Sequence, residues 1–388
     1  MPIALLALSL AVFSVGTAEL IIAGILPNLS ADFGIDIPTA GLLVTAYAVA
    51  VAIGGPIFAM LTTRLPRKQL IVAVMMLFVV GQVLCALAPS YGWLMAARIL
   101  VACGHGLFFG SGSVAAAELV PPNRRGAALS IFLGGFAVAT VLGVPIGTTV
   151  GNALGWRWSF AAIGAIALVA TILVAVLLPP SPAGSARDAG LRAEIRALSR
   201  QQVYLAYVVI GLVMTGALAF TTYQVPLLIH VTGIAQAWTP VYLVLGGIGT
   251  AVGVYAGGRA ADWRLMPTLI VVLIGQALTG VLLLPSVGSP PAMMVSLFLW
   301  SALGSAFDAP VQARILEAAR EAPNLAATLI STAFNIGIAL GAWLGGLWIE
   351  AGLGYATLPL PGIVASLMAA GVAIVSWRLE RRRRLAVA

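Results

Sequence analysis

The sequence predicts an all-α membrane protein of twelve transmembrane helices, arranged as two pseudo-symmetric six-helix bundles. Three observations predict this fold. Hydrophobic residues make up 61% of the 388 residues and charged residues only 8%, whereas about a quarter of a soluble domain is charged. Apolar stretches long enough to cross a bilayer recur along the chain. Basic residues fall almost entirely in alternate gaps between these stretches.

The basic residues also predict the orientation. Of the 20 Lys and Arg residues, all except Arg98 and Arg157 lie in every second gap or in the tail after Trp377. Because positive loops stay in the cytoplasm, both termini are expected inside and the number of spans must be even. Loops that face anionic lipid then explain the net charge of +8, so no nucleic-acid partner is expected.

Twelve stretches satisfy the need for about 20 apolar residues per helix. The first lacks a basic segment and a small-residue cleavage site, so we expect a retained span rather than a removed signal peptide. The predicted spans cover residues 4–27, 40–62, 69–88, 92–117, 127–150, 157–178, 203–228, 239–261, 266–286, 291–313, 325–349 and 356–377.

The longest polar interruption divides the spans into six plus six. The predicted domains are an N-terminal bundle at 1–178, a cytoplasmic linker at 179–202, and a C-terminal bundle with a basic tail at 203–388. A weak internal repeat supports two homologous halves, since Ala127 and Ala128 of span five correspond to Ala326 and Ala327 of span eleven. In chains built this way, a substrate site near the bilayer midplane, where the halves meet, is expected.

Small residues at every fourth position mark spans two, five, eight and eleven, which occupy equivalent places in the two halves. They let helices approach closely, either in static packing or at contacts that change. The stripes are Ala46, Ala50 and Gly54; Gly143, Gly147 and Gly151; Gly249, Gly253 and Gly257; and Gly337, Gly341 and Gly345.

Several kinds of chemistry are not expected. Cys85 and Cys103 lie inside apolar stretches without metal-ligand spacing, so packing roles and no metal are predicted. No phosphate-binding loop occurs, so neither ATP nor another cofactor is expected, and energy must come from an ion gradient or the substrate's own gradient. The spans contain no Ser/His/Asp cluster for a hydrolase, and no signalling domain follows the tail.

The loop after span two resembles the signature loop of the major facilitator superfamily, usually Gly-x-Leu-x-Asp-Arg-x-Gly-Arg-Lys. The matching residues are Leu61, Arg64, Arg67 and Lys68, while Thr63 stands where Asp is usual and Pro66 where Gly is usual. Asp262 supplies the acid in the second-half copy. The resemblance implies gating roles for Arg64, Arg67, Lys68 and Asp262.

Three further segments resemble the arabinose-efflux-like branch of the twelve-span drug:proton antiporters in this superfamily: HGLFFG at 105–110, GWRWSF at 155–160 and AFNIGIALGAWLGG at 333–346. GVPIG at 143–147 is similar to the Gly- and Pro-rich motif of antiporters, which implies gating roles for Gly143, Pro145 and Gly147. The resemblance implies proton-coupled export of drugs, sugars or nucleosides from the bacterial cytoplasm across the inner membrane.

Titratable groups inside the membrane are costly and therefore mark function. They are Glu19, Arg98, His105 and Asp308. Counted at 1.5 Å per residue, Glu19 and Arg98 lie at similar depths, roughly 22 Å from the inside and roughly 9 Å from the outside of a core about 30 Å thick. An ion pair between them is therefore possible, and His105 follows two helical turns after Arg98 on the same face.

Two interpretations of these groups stay open. Glu19, Arg98 and His105 form a proton relay, or Glu19 and Arg98 form a permanent bridge while His105 packs against a Gly-rich segment. Asp308 either takes part in coupling or pairs with a loop arginine such as Arg314 or with the signature loop.

The central spans one, four, seven and ten, with their neighbours, are expected to line the path. Aromatic and amide side chains suit an uncharged or weakly cationic amphipathic molecule. The candidates for binding the small-molecule substrate are Tyr47, Phe108, Phe109, Tyr223, Gln224, Trp300, Phe307, Phe334 and Asn335.

The predicted function is a monomeric, proton-coupled efflux antiporter working by alternating access. Glu19 would release cargo when it takes up a proton and bind cargo when it loses one. The alternative is a proton-coupled or passive importer of a small sugar or nucleoside on the same fold, in which cargo and proton would bind together.

Overall fold

The structure is a computed structural model that describes residues 2–62, 65–180, 201–318 and 323–387. Within these ranges, the side chains at positions 56, 59, 60, 323–328 and 383–387 are outside the description. In the described ranges the regular structure is helical, and twelve helical segments are long and apolar enough to cross a membrane. The predicted all-α, twelve-span fold is confirmed.

Spans one to six each begin close to their predicted starts. Asp36 caps span two, since its carboxylate accepts a hydrogen bond from the Thr39 amide at 2.8 Å. The hydrogen bonds from Thr39 also hold the pKa of Asp36 below its usual value. The helices are Ile3–Phe33, Ile37–Leu61, Arg67–Ala86, Tyr91–Glu118, the pair Arg125–Val138 and Val144–Leu154, and Trp156–Leu177.

Spans seven to twelve follow the same plan. The final helix continues well past the predicted end at residue 377, because the arginines of the tail are good helix formers. The helices are Gln201–Thr221 with Gln224–His230, Thr239–Trp263, Leu265–Ser286, Pro290–Ala306 with Asp308–Ala318, Pro323–Glu350 and Pro359–Val387.

Prolines interrupt three spans that the sequence analysis treated as continuous. A proline cannot donate to the carbonyl four residues earlier. In span seven, Pro226 leaves the carbonyl of Thr222 without a donor, and the helix ends one residue earlier, at Thr221. In span ten, the helix ends at Ala306, four residues before Pro310. In span five a π-helical turn, Ala139–Gly143, directly precedes Val144 and Pro145. Asp308 consequently starts a new helix.

Contacts group the described residues into two compact units. One holds the residues up to 180 with Gln236–Val244, and the other holds 201–235 with the residues from Leu245 onward. The sequence analysis had assigned all of span eight to the C-terminal bundle. In the first unit, the Gln236 amide nitrogen donates to the side-chain oxygens of Asn28 at 3.1 Å and Asn152 at 3.0 Å. These amide contacts tie Gln236, the first residue of that segment, to spans one and five.

The glycine stripes are places of very close helix packing. A methyl group added to Gly143 would lie 2.1 Å from the Thr17 hydroxyl oxygen of span one. One added to Gly253 would lie 1.9 Å from the carbonyl oxygen of Ala302 in span ten. Such distances are far below van der Waals contact, so only glycine permits these approaches.

The same packing recurs in both units. In the first unit span five packs on span one and span two on span four, while in the second span eleven packs on span seven and span eight on span ten. Each pair reappears six spans later, as expected for the confirmed pseudo-symmetric bundles. The stripes therefore serve packing inside a bundle, which favours the static interpretation.

The closest of these contacts supports a stability prediction. Gly253→Ala would force spans eight and ten apart, and we expect a loss of about 1–3 kcal/mol, typical of overpacking. Gly258→Ala on the same helix is the matched control, because its added methyl group would have Ala309 Cβ as nearest neighbour at 3.8 Å. Thermal unfolding in detergent should show a lower midpoint for Gly253→Ala alone. Equal midpoints for the two variants would contradict the packing argument.

Candidate functional site

Four polar side chains from spans one, two and four meet inside the first unit. The Tyr47 hydroxyl oxygen and His105 Nδ1 lie 3.0 Å apart, in hydrogen-bond contact. His105 Nε2 lies 3.8 Å from a carboxylate oxygen of Glu19, an ion-pair distance but longer than a hydrogen bond. Arg98 is completely buried beside them. The structure thus brings three predicted coupling residues together with one predicted cargo-binding residue.

Arg98 is held differently from the expected ion pair. Its Nη1 donates to the carbonyl oxygen of Ala18 at 2.5 Å, and Nη2 lies 3.5 Å from the carbonyl oxygen of Glu19. Its guanidinium carbon also lies 4.0 Å from the centre of the Tyr47 ring, a cation-π contact. The guanidinium is thus anchored by the backbone of span one and by an aromatic face. Its position does not require the Glu19 carboxylate to stay charged.

Span one presents opposite faces to two neighbours. Thr17 and Ile21 lie one helical turn apart and contact Gly143 and Gly147 of span five. Glu19 lies about 200° around the helix from Thr17, towards the Arg98 and His105 side chains of span four. The predicted antiporter-like motif therefore supports the segment that carries Glu19, with Pro145 buried between its glycines.

An aromatic cluster extends from His105. The His105 and Phe109 rings stack at 4.8 Å between centroids, and Phe109 also contacts Phe132 at 6.0 Å. Phe108 is fully buried and packs on Phe132. Phe109, which is only half-buried, is better placed than Phe108 to contact a ligand.

The second unit contains a smaller polar group. Asp308 has a buried carboxylate oxygen with no hydrogen-bond partner among the described residues. The side-chain oxygen of Asn335 is also buried and has no hydrogen-bond partner among the described residues. The side-chain nitrogen of Asn335 donates to the Ser331 carbonyl oxygen at 3.0 Å. Phe307 directly precedes Asp308, and Phe334 directly precedes Asn335. The centroids of these two rings lie 6.1 Å apart.

Arg314 does not pair with Asp308, which was one of the expectations for Asp308. Its Nη2 instead lies 2.8 Å from a Glu380 carboxylate oxygen and 3.1 Å from the Gln202 side-chain oxygen. Among the described residues, no ion pair to Asp308 is found.

Three other predicted binding residues have clear surroundings. Tyr223 is fully buried and donates from its hydroxyl to the Ala342 carbonyl at 2.9 Å, which is a packing role. Trp300 is buried against Phe220, with ring centroids 5.4 Å apart. Gln224 is half-buried at the break in span seven.

The predicted gating residues are only partly assembled. Arg67 pairs with Glu118, which joins the start of span three to the end of span four. Lys68 is half-buried and Asp262 is exposed. Arg64 lies outside the described residues.

The sequence analysis missed two polar contacts of span one. Asp32 accepts from Arg157 at 2.7 Å and from the Trp156 ring nitrogen at 3.1 Å, which gives the GWRWSF segment a structural role. The amide cluster of Asn28, Asn152 and Gln236 was also missed. Both sets of contacts could have been suspected from the sequence, because their members are isolated polar residues at the ends of apolar stretches.

Comparison with known proteins agrees with this fold. The Major Facilitator Superfamily model matches residues 8–342. The inner membrane transport protein YdhP of Escherichia coli (strain K12) is 35% identical over 97% of this chain and 96% of its own length. A chloramphenicol resistance protein of Streptomyces lividans is 32% identical over 97% of this chain and 95% of its own.

A solved D-xylose-proton symporter has a TM-score of 0.75 at 18% identity, covering 95% of this chain and 96% of the symporter chain. At that identity the likeness shows the fold alone. The chain belongs to the major facilitator superfamily, as predicted, and is a multi-pass inner-membrane transporter of small molecules rather than an enzyme.

Proposed function

We propose that this protein is a proton-coupled antiporter that exports small amphipathic molecules, such as a drug, sugar or nucleoside. The observation that carries the proposal is the Glu19 carboxylate, whose side chain is only 12% exposed and lies 3.8 Å from His105, beside the anchored Arg98 guanidinium. Intramembrane acids of this kind mark proton pathways. The glycine motif behind Glu19 and the name of the chloramphenicol resistance relative support export.

Exchange follows from competition at Glu19. On the outer side Glu19 takes up a proton and the cargo leaves, and on the inner side the proton leaves and cargo binds. Arg98 keeps its place in both states because backbone carbonyls and the Tyr47 ring hold it. In this proposal His105, which contacts Tyr47 and lies 3.8 Å from the Glu19 carboxylate, passes the proton.

The remaining candidates have secondary roles in this proposal. Asp308 is a second acid able to hold a proton, and the half-buried rings of Phe109 and Phe334 contact the apolar part of the cargo. The chain acts as a monomer, with both termini in the cytoplasm as the basic loops indicate. Its path is alternately open to the two sides of the membrane.

Everted membrane vesicles with an acidic lumen test direction and coupling together. Cargo from a panel of chloramphenicol, sugars and nucleosides is added at the face that was cytoplasmic, and a pH-sensitive dye reports the lumen. An antiporter should raise the luminal pH when its cargo is added, because each cargo molecule enters in exchange for a proton. Vesicles without the protein are the control.

Two other results would identify the alternatives. Cargo that equilibrates without any pH change would mean a passive carrier. Cargo that leaves preloaded vesicles together with protons would mean a symporter, and would overturn the proposed export.

A further inference from the structure

A cavity of about 550 Å³ lies in the second unit, where the ends of spans eight, ten and twelve meet the start of span nine. Arg264, Arg314 and Arg381 line it, together with the acids Glu317 and Glu380. Three positive and two negative side chains leave one positive charge in excess. We propose that this cavity binds the phosphate headgroup of an anionic phospholipid.

Arg314 forms the fixed basic part of the cavity. It is only 5% exposed, and its contacts with Glu380 at 2.8 Å and Gln202 at 3.1 Å hold its side chain in place. Its buried Nε has no hydrogen-bond partner among the described residues. The ion pair with Glu380 balances one charge, so the excess of one positive charge comes from the two remaining arginines set against the single acid Glu317.

Arg264 and Arg381 are exposed and available to an anion. The guanidinium carbon of Arg264 lies 5.0 Å from the centre of the Trp263 ring, and that of Arg381 lies 5.6 Å from the centre of the Trp377 ring. Stacking on an aromatic face leaves the N–H groups at the guanidinium edge directed outwards. A phosphate diester, with one negative charge and paired oxygens, matches this donor set.

The apolar part of the lining favours a lipid over a free phosphate ion. Met266 and Trp377 line the same cavity, and tryptophan is typical of the membrane interface. Basic pockets between transmembrane helices on the cytoplasmic side are suited to anionic headgroups. By the charge rule used above, this end of the second unit faces the cytoplasm, where such headgroups are available.

The test is a native mass spectrometry titration of the full chain in detergent. Phosphatidylglycerol is compared with phosphatidylcholine, and inorganic phosphate is added as a competitor. Arg264→Gln/Arg381→Gln removes the two exposed arginines of the cavity. Arg124→Gln/Arg125→Gln is the matched control, because it removes two exposed arginines from the inner end of the first unit.

We expect one phosphatidylglycerol to bind more tightly than phosphatidylcholine. Each arginine should contribute roughly fivefold, so the cavity variant should weaken binding about 25-fold while the control remains unchanged. Equal effects of both variants, or none, would overturn the proposal. Complete displacement by inorganic phosphate would overturn it in favour of a free-phosphate site.

Discussion

Glu19→Gln is expected to uncouple transport from the proton gradient. Glutamine keeps the size and polarity of the side chain beside His105 but cannot take up or release a proton. A gradient of about one pH unit supplies about 1.4 kcal/mol per proton, enough for about tenfold accumulation in one-for-one exchange. In proteoliposomes under that gradient, the native chain should concentrate its cargo about tenfold, whereas Glu19→Gln should only equilibrate it.

The matched control for Glu19→Gln is the same type of change at the second intramembrane acid, Asp308. Asp308→Asn removes the half-buried carboxylate of the second unit and should leave most of the accumulation intact. Cargo-for-cargo exchange without a gradient should persist in Glu19→Gln, which would separate lost coupling from lost folding. If Asp308→Asn abolished accumulation and Glu19→Gln did not, the proton carrier would lie in the second unit instead.

The fold was predictable because bilayer physics restricts it strongly. Apolar length and alternating basic loops were enough for the number of spans, and six-plus-six symmetry followed from the interruption near residue 180. The helix breaks were not recognised, although Pro226 and Pro310 were visible. Proline is tolerated in membrane helices when neighbouring groups satisfy the freed carbonyl, so its presence alone does not predict a break.

The candidate site was predictable in its members but not in its contacts. Helical depth placed Glu19 and Arg98 at the same level, and helical periodicity placed His105 on the face of Arg98. The direction of the Arg98 side chain depends on local competition between the Glu19 carboxylate, two backbone carbonyls and the Tyr47 ring. Sequence spacing carries no information about that competition.

Arg98→Met should cause the largest loss of stability at this site. The variant keeps an apolar chain of similar length but removes the buried charge and its contacts with span one and Tyr47. Met cannot donate to the carbonyl oxygens of Ala18 and Glu19, and it removes the positive charge beside the Glu19 carboxylate. A buried polar group left without its partner costs about 1–3 kcal/mol. We expect a fall of about 3 kcal/mol in the free energy of unfolding, seen as a lower thermal midpoint in detergent, and loss of exchange at neutral pH.

The double variant Arg98→Met/Glu19→Gln decides what that loss means. If the cause is the Glu19 charge left without a neighbouring cation, removing that charge as well should restore part of the stability without restoring proton coupling, since neighbouring buried charges can often be replaced by uncharged groups at little cost. Arg98→Lys should lie between the native chain and Arg98→Met, because lysine keeps the charge but lacks the planar group that bonds the carbonyls and stacks on Tyr47. Additive losses in the double variant would instead mean that Arg98 is only a structural link between spans one, two and four, and that its charge does not act on Glu19.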